Sequence, residues 1–149
     1  MIVQREFHTH SADETIAVGH TLSTVLEPGQ MIILRGDLGA GKTTLVKGIA
    51  EGFNAALQEE VTSPTFTLVH EYRAPTVTLF HIDLYRIDSE RELATLGIDD
   101  LRFEPGSILL IEWGRKFEQL VTESNGEISI DRVGENERRI VFCARSITR

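Results

Sequence analysis

Hydrophobic and polar positions change period along the chain, and each change marks an element. Val3 to Phe7 reads as a short extended start. Ser11-Ala12-Asp13-Glu14 follows with the S-x-x-E spacing of a helix start, which predicts a helix from about Ala12 to Leu26, broken at Pro28-Gly29. Met31-Ile32-Ile33-Leu34 is continuously apolar, as a strand buried on both faces requires. Gly36 ends it, and Thr43 to Phe53 returns to a helical period before an irregular stretch at Glu60-Val61-Thr62-Ser63-Pro64.

Phe66 to Tyr72 and Val77 to Ile82 are β-rich runs around Arg73-Ala74-Pro75-Thr76, read as a hairpin or two neighbouring strands. Ser89-Glu90-Arg91-Glu92 repeats the capping pattern and opens a helix to about Leu96. Ile108-Leu109-Leu110-Ile111 is a second buried-strand signature. Glu127 to Val133 and Arg138 to Ala144 alternate like an antiparallel hairpin turning at Gly134-Glu135-Asn136. Buried strands with helices between them give an α/β sheet with antiparallel edges.

A length of 149 residues suits one domain, residues 1–149, and 41% hydrophobic with 26% charged residues excludes a disordered or low-complexity chain. The net charge of −8 is the wrong sign for holding nucleic acid through a general electrostatic field, so any RNA contact is local or shared with a partner. No apolar run is long enough to cross a bilayer, and MIVQREFHTH lacks a signal peptide's apolar segment, so no membrane contact and a cytoplasmic location are expected. Cys143 has no second cysteine to pair with and, in RRIVFCA, reads as a core side chain.

The sharpest chemical signal is Gly36-Asp37-Leu38-Gly39-Ala40-Gly41-Lys42-Thr43, which fits G-x-x-x-x-G-K-[ST] at every fixed position. Chance alone yields such a match about once in 200 chains of this length. The flanking MIILR strand and TTLVKGIAEGF helix supply the context the motif needs. Its glycines turn successive amides toward phosphate oxygens, and a helix N-terminus adds its positive end. Lys42 then reaches the β- and γ-phosphates and the Thr43 hydroxyl ligates Mg²⁺, so ATP or ADP with Mg²⁺ is the expected ligand. The plain alternative is a glycine-rich turn with an incidental lysine.

Such a loop requires carboxylates at neighbouring strand ends. Glu112 follows ILLI as a magnesium acid should, and Asp83 follows Val77 to Ile82; either is otherwise a solvated strand-end carboxylate. Trp113 reads as packing that shields the phosphates. Thr62, Ser63 and Thr65 around Pro64 form either a loop that senses the γ-phosphate or a polar connection. His81, Tyr85 and Arg86 flank Asp83, with Arg86 read as an exposed ion-pair residue and no arginine committed to the γ-phosphate. His8 and His10 lack a third ligand for a metal site, and His20 and His70 carry no signal. Glu135 to Arg139 is a charged hairpin tip that is solvated or brushes a nucleotide base. No N-K-x-D segment reads guanine, which favours adenine.

GDLGAGKTT, VTSPTFTLVHEY, HIDLYR, ELATLGIDD and LLIEW, in this order, resemble the TsaE (formerly YjeE) family of bacterial ATPases required for threonylcarbamoyladenosine (t6A) synthesis on tRNA. The resemblance spans Ser11 to Trp113 and extends loosely over the C-terminal hairpin; Gly114-Arg115-Lys116-Phe117 departs from it. It implies a P-loop NTPase-like, mostly parallel sheet with flanking antiparallel strands and helices on both faces. It also implies a phosphate loop over Gly36 to Thr44, switch-like segments at Thr62 to Thr67 and His81 to Arg86, and magnesium ligands Thr43 and Glu112. Asp83 would support hydrolysis or its coupling, and Ser11 and Asn136 would lie beside the adenosine. The implied partners are TsaB and TsaD, with tRNA met only through that complex. A P-loop small-molecule kinase is the alternative, though the chain shows no evident acceptor lid.

Overall fold

The computed structural model describes residues 1–147. Seven strands form one mixed sheet: β1 (Ile2–Thr9), β2 (Met31–Arg35), β3 (Val69–Arg73), β4 (Thr78–Asp83), β5 (Ser107–Glu112), β6 (Gly126–Arg132) and β7 (Arg138–Arg145). Their order is β1-β7-β6-β2-β5-β4-β3. The central β6, β2, β5 and β4 are mutually parallel, while β1, β7 and β3 add antiparallel edges. β4 and β5 are buried along their whole length, which is why their sequences lack alternation.

Because successive strand side chains point to opposite faces, one continuous apolar run serves two cores. Ile32, Leu34, Leu110, Ile128 and Phe142 meet helices α1 (Ala12–Ser23) and α2 (Lys42–Gly52). Met31, Leu109, Ile111, Phe80 and Ile82 face the other layer, with α3 (Glu90–Thr95), α4 (Ile98–Phe103) and α5 (Glu118–Glu123). α1 and α2 pack backbone to backbone at Gly19 and Gly48: a Cβ on Gly48 would lie 2.1 Å from the Ile16 carbonyl oxygen.

Both predicted caps form. Ser11 Oγ accepts from the Glu14 amide at 3.1 Å and Ser89 Oγ from the Glu92 amide at 3.1 Å. The return bond lands one residue early, on the amides of His10 and Asp88. α1 stops at Ser23 rather than Leu26, because the Ser23 and Thr24 hydroxyls donate to the His20 and Thr21 carbonyls and Thr24 N–H turns back to Thr21. β3 starts at Val69, not Phe66: Leu68 sits at φ +71° and donates to the Pro64 carbonyl at 2.6 Å, closing a turn that leaves Phe66 exposed under the Arg86 guanidinium. The short α4 and α5 had no periodic run long enough to announce them.

Cys143 is not core. β7 buries Ile140, Phe142 and Ala144, and the strict alternation puts Cys143 on the exposed face.

Candidate functional site

β2 is the strand from which the site grows, since its carboxyl end lies between β5 and β6 and the glycine loop leaves it there. A side chain at Gly36 is excluded, as its Cβ would sit 2.6 Å from the Ile130 carbonyl oxygen of β6. Gly39 and Gly41 take φ of +79° and +107°, the left-handed region that glycine enters without strain. Gly41 is the N-cap of α2 and has no side chain to offer, so the first amides of that helix stay open toward the loop's concavity. The Ala40 amide is already bonded to the Asp37 carbonyl at 3.0 Å, and the Ala40 side chain is buried.

A cavity of about 520 Å³ opens over this loop. Leu38, Gly39, Gly41, Lys42, Thr43 and Thr44 form its floor. Strand register supplies the opposite side: Asp83 pairs with Glu112 across β4 and β5, and Glu112 pairs with Leu34 across β5 and β2. Both acids therefore end adjacent strands beside the loop, and both line the cavity. Asp37 points instead into a neighbouring cavity of about 440 Å³ that shares Lys42 and Trp113 with the first.

Lys42 is buried, donating to the Gly36 carbonyl, with Nζ 3.5 Å from Glu112 Oε1 and 5.7 Å from the Trp113 ring centre. Trp113 holds a left-handed backbone, φ +63°, and packs against Tyr85 with ring centres 5.1 Å apart. Glu112 Oε2 accepts from Nε2 of the fully buried His81 at 2.5 Å. Burial pushes the Glu112 carboxyl up, but the His81 hydrogen bond and the Lys42 ammonium outweigh it, leaving its pKa below the ordinary carboxylate value. Each oxygen of Asp83 is engaged: Oδ2 accepts from Thr65 Oγ1 at 3.0 Å and Oδ1 from the Tyr85 amide at 2.9 Å. Thr65 in turn lies 2.8 Å from Ser63, so the Pro64 loop is tied to the end of β4.

Ser11 and Asn136 come together at the other end of the loop. They line a cavity of about 160 Å³ with Thr15, Gly41, Thr44 and Arg138. Ser11 Oγ already accepts the capping bond, which leaves its hydroxyl hydrogen available. The sequence reading missed two residues. Arg138, read as part of a charged hairpin tip, donates from Nε to the Ala40 carbonyl at 2.7 Å. His81, read only as a neighbour of Asp83, is a direct partner of Glu112. The alternation in RRIVFCA put Arg138 on the Ile140 face and was the one available signal. Arg86 stacks on Phe66 at the surface, His8 bonds Glu6, His10 bonds Glu14 and His20 bonds Glu51.

The oxygen donors Thr43 on the floor and Glu112 on the facing side suit a hard divalent cation, and the open amides with Lys42 suit a polyphosphate. Among the described residues no three His, Cys, Asp or Glu side chains gather into a metal cluster, so such a cation would need ligands from a bound phosphate and water.

The family model for threonylcarbamoyl adenosine biosynthesis protein TsaE matches residues 9–140. The tRNA threonylcarbamoyladenosine biosynthesis protein TsaE of Bacillus subtilis (strain 168) is 38% identical over 95% of this chain and 86% of its own. Its counterpart from Treponema pallidum (strain Nichols) is 36% identical, covering 91% and 97%. The crystal structure of Bacillus subtilis YdiB superposes with a TM-score of 0.75 at 34% identity, over 98% of this chain and 88% of that one. With the family model covering residues 9–140 and these relatives matching nearly the whole length, the chain belongs to the TsaE family.

Proposed function

We propose that the chain is an Mg²⁺-dependent ATPase subunit in the formation of t6A on tRNA, acting in the cytoplasm with TsaB and TsaD and meeting tRNA only through them. The observation that carries this reading is the cavity in which the open α2 amides, buried Lys42, Thr43, Asp83 and Glu112 converge. Thr43 and Glu112 would hold the cation, and the amides from Gly39 to Thr44 with Lys42 would hold the phosphates. When bound, Mg²⁺ supplies neutralisation of charge on the transferring phosphoryl group.

The chain's own residues do the rest. Lys42 brings a cation out of water, where its attraction for a polyphosphate is strongest. Trp113 lies over Lys42 and Tyr85 packs against Trp113, so the pair would shield bound phosphates from solvent. Asp83 links the Pro64 loop to the strand end, so a change at the phosphates reaches the surface near Phe66. Ser11 and Asn136 would flank the adenosine. The charge of −8 fits docking onto a basic partner surface. Both relatives described above carry the tRNA-modification description, which favours this reading over a small-molecule kinase.

The test is multiple-turnover t6A formation with purified TsaB and TsaD. Lys42→Ala is expected to fold, to bind ADP poorly and to stop turnover after the first cycle; sustained modification by this variant would reject the proposal.

A further inference from the structure

His81 is wholly buried inside β4, one residue from the surface of the cavity, with one ring nitrogen engaged and the other bare. Nε2 lies 2.5 Å from Glu112 Oε2, and Nδ1 has no hydrogen-bond partner. Without a proton on Nε2 the ring would set a lone pair against a carboxylate oxygen at 2.5 Å. With one, the contact is a hydrogen bond to an anion.

We propose that His81, donating from Nε2, is a positioning residue that pins Oε2 of Glu112 and so dedicates Oε1, on the Lys42 side, to the divalent cation. The inference rests on the Mg²⁺-nucleotide reading above. Glu112 ends β5 with a terminal torsion that is intrinsically broad. One fixed oxygen orients the whole carboxylate, and the other then faces Lys42 at 3.5 Å and the floor bearing Thr43. Nδ1 is the cost of this arrangement: a polar atom left bare in the core so that its partner nitrogen can aim an acid. A purely structural histidine would gain nothing from that choice, since Leu fills the same space without it. Partners that orient a metal ligand typically change metal affinity by about 10–100-fold when removed.

Calorimetry with ADP, in Mg²⁺ and in EDTA, reads the effect as the ratio of the two dissociation constants. In His81→Leu that ratio should fall about tenfold while Mg²⁺-free ADP binding stays within about twofold. His81→Gln, whose amide can again donate to Oε2, should recover most of the ratio. A ratio unchanged in His81→Leu, or an equal loss of affinity with and without Mg²⁺, overturns the assignment. A wild-type protein indifferent to Mg²⁺ would instead reject the nucleotide reading and this inference with it. Should the Leu variant fail to fold, nitrogen-15 NMR of the wild-type imidazole decides: a proton on Nε2 is expected, and an unprotonated Nε2 refutes the proposal.

Discussion

Gly48→Ala tests whether the helix pair beneath the phosphate loop is packed as tightly as the distances state. In a free helix the change gains about 1 kcal/mol, because alanine loses less chain entropy. Here the added methyl would lie 2.1 Å from the Ile16 oxygen, 2.9 Å from its carbonyl carbon and 3.0 Å from the Gly19 Cα. These are backbone atoms of α1, so no side chain can rotate away and one helix must shift by about 1 Å to restore ordinary contact. Overpacking costs about 1–3 kcal/mol where neighbours can adjust, and a backbone obstacle belongs at or above the top of that range. The clash therefore outweighs propensity, for a net loss of about 2 kcal/mol and a Tm lowered by about 4–8 °C. Lys42 and Thr43 open the same helix, so ADP affinity measured by calorimetry should fall too. A Tm equal to or above wild type would refute the packing, because only an uncrowded Gly48 lets the propensity gain prevail.

Arg138→Ala should weaken Mg²⁺-free ADP binding about tenfold, the loss of one charge-assisted hydrogen bond, while leaving the Mg²⁺ ratio intact; undiminished affinity would deny the residue a role in shaping the loop. Glu112 has a folded pKa below the ordinary 4.5, so its contribution to stability is fully present above that value and disappears as pH falls through the lower, folded one. Thermal melts from pH 7 down to 3 should show Glu112→Gln losing less stability than wild type below pH 4.5, and parallel curves would contradict the assignment.

The sequence carried the parts of the fold set by strong local patterns. Continuous apolar runs marked β2 and β5 because strands buried on both faces cannot alternate. Ser11 and Ser89 marked helix starts because a hydroxyl satisfying a free amide is a local event. What stayed illegible depended on long-range contacts or on competition at element ends. Leu68 at φ +71° shortened β3, hydroxyl bonds shortened α1, and exposure of Cys143 depended on which face of β7 the helices cover. In the site, the loop and the two strand-end acids were readable from spacing. Arg138 lies 98 positions from its carbonyl partner and His81 31 from Glu112, distances over which no periodicity speaks.

The two residues hidden from sequence brace opposite walls of the loop, which makes its two tasks separable. On the β6–β7 wall, Ile130 presses on Gly36, and Arg138 holds the Ala40 carbonyl outward. In a trans peptide the following N–H points the other way, so that bond directs the Gly41 amide away from Arg138 whether or not a metal is present. On the β4–β5 wall, His81 aims Glu112, and Lys42 lies between that acid and the Gly36 carbonyl. Phosphate binding should thus follow the first wall and the cation response the second. The Arg138→Ala and His81→Leu effects should add in the double variant, because their partners, the Ala40 carbonyl and the Glu112 carboxylate, are not shared. Strong coupling between them would mean that Lys42, which touches both Gly36 and Glu112, transmits strain from one wall to the other.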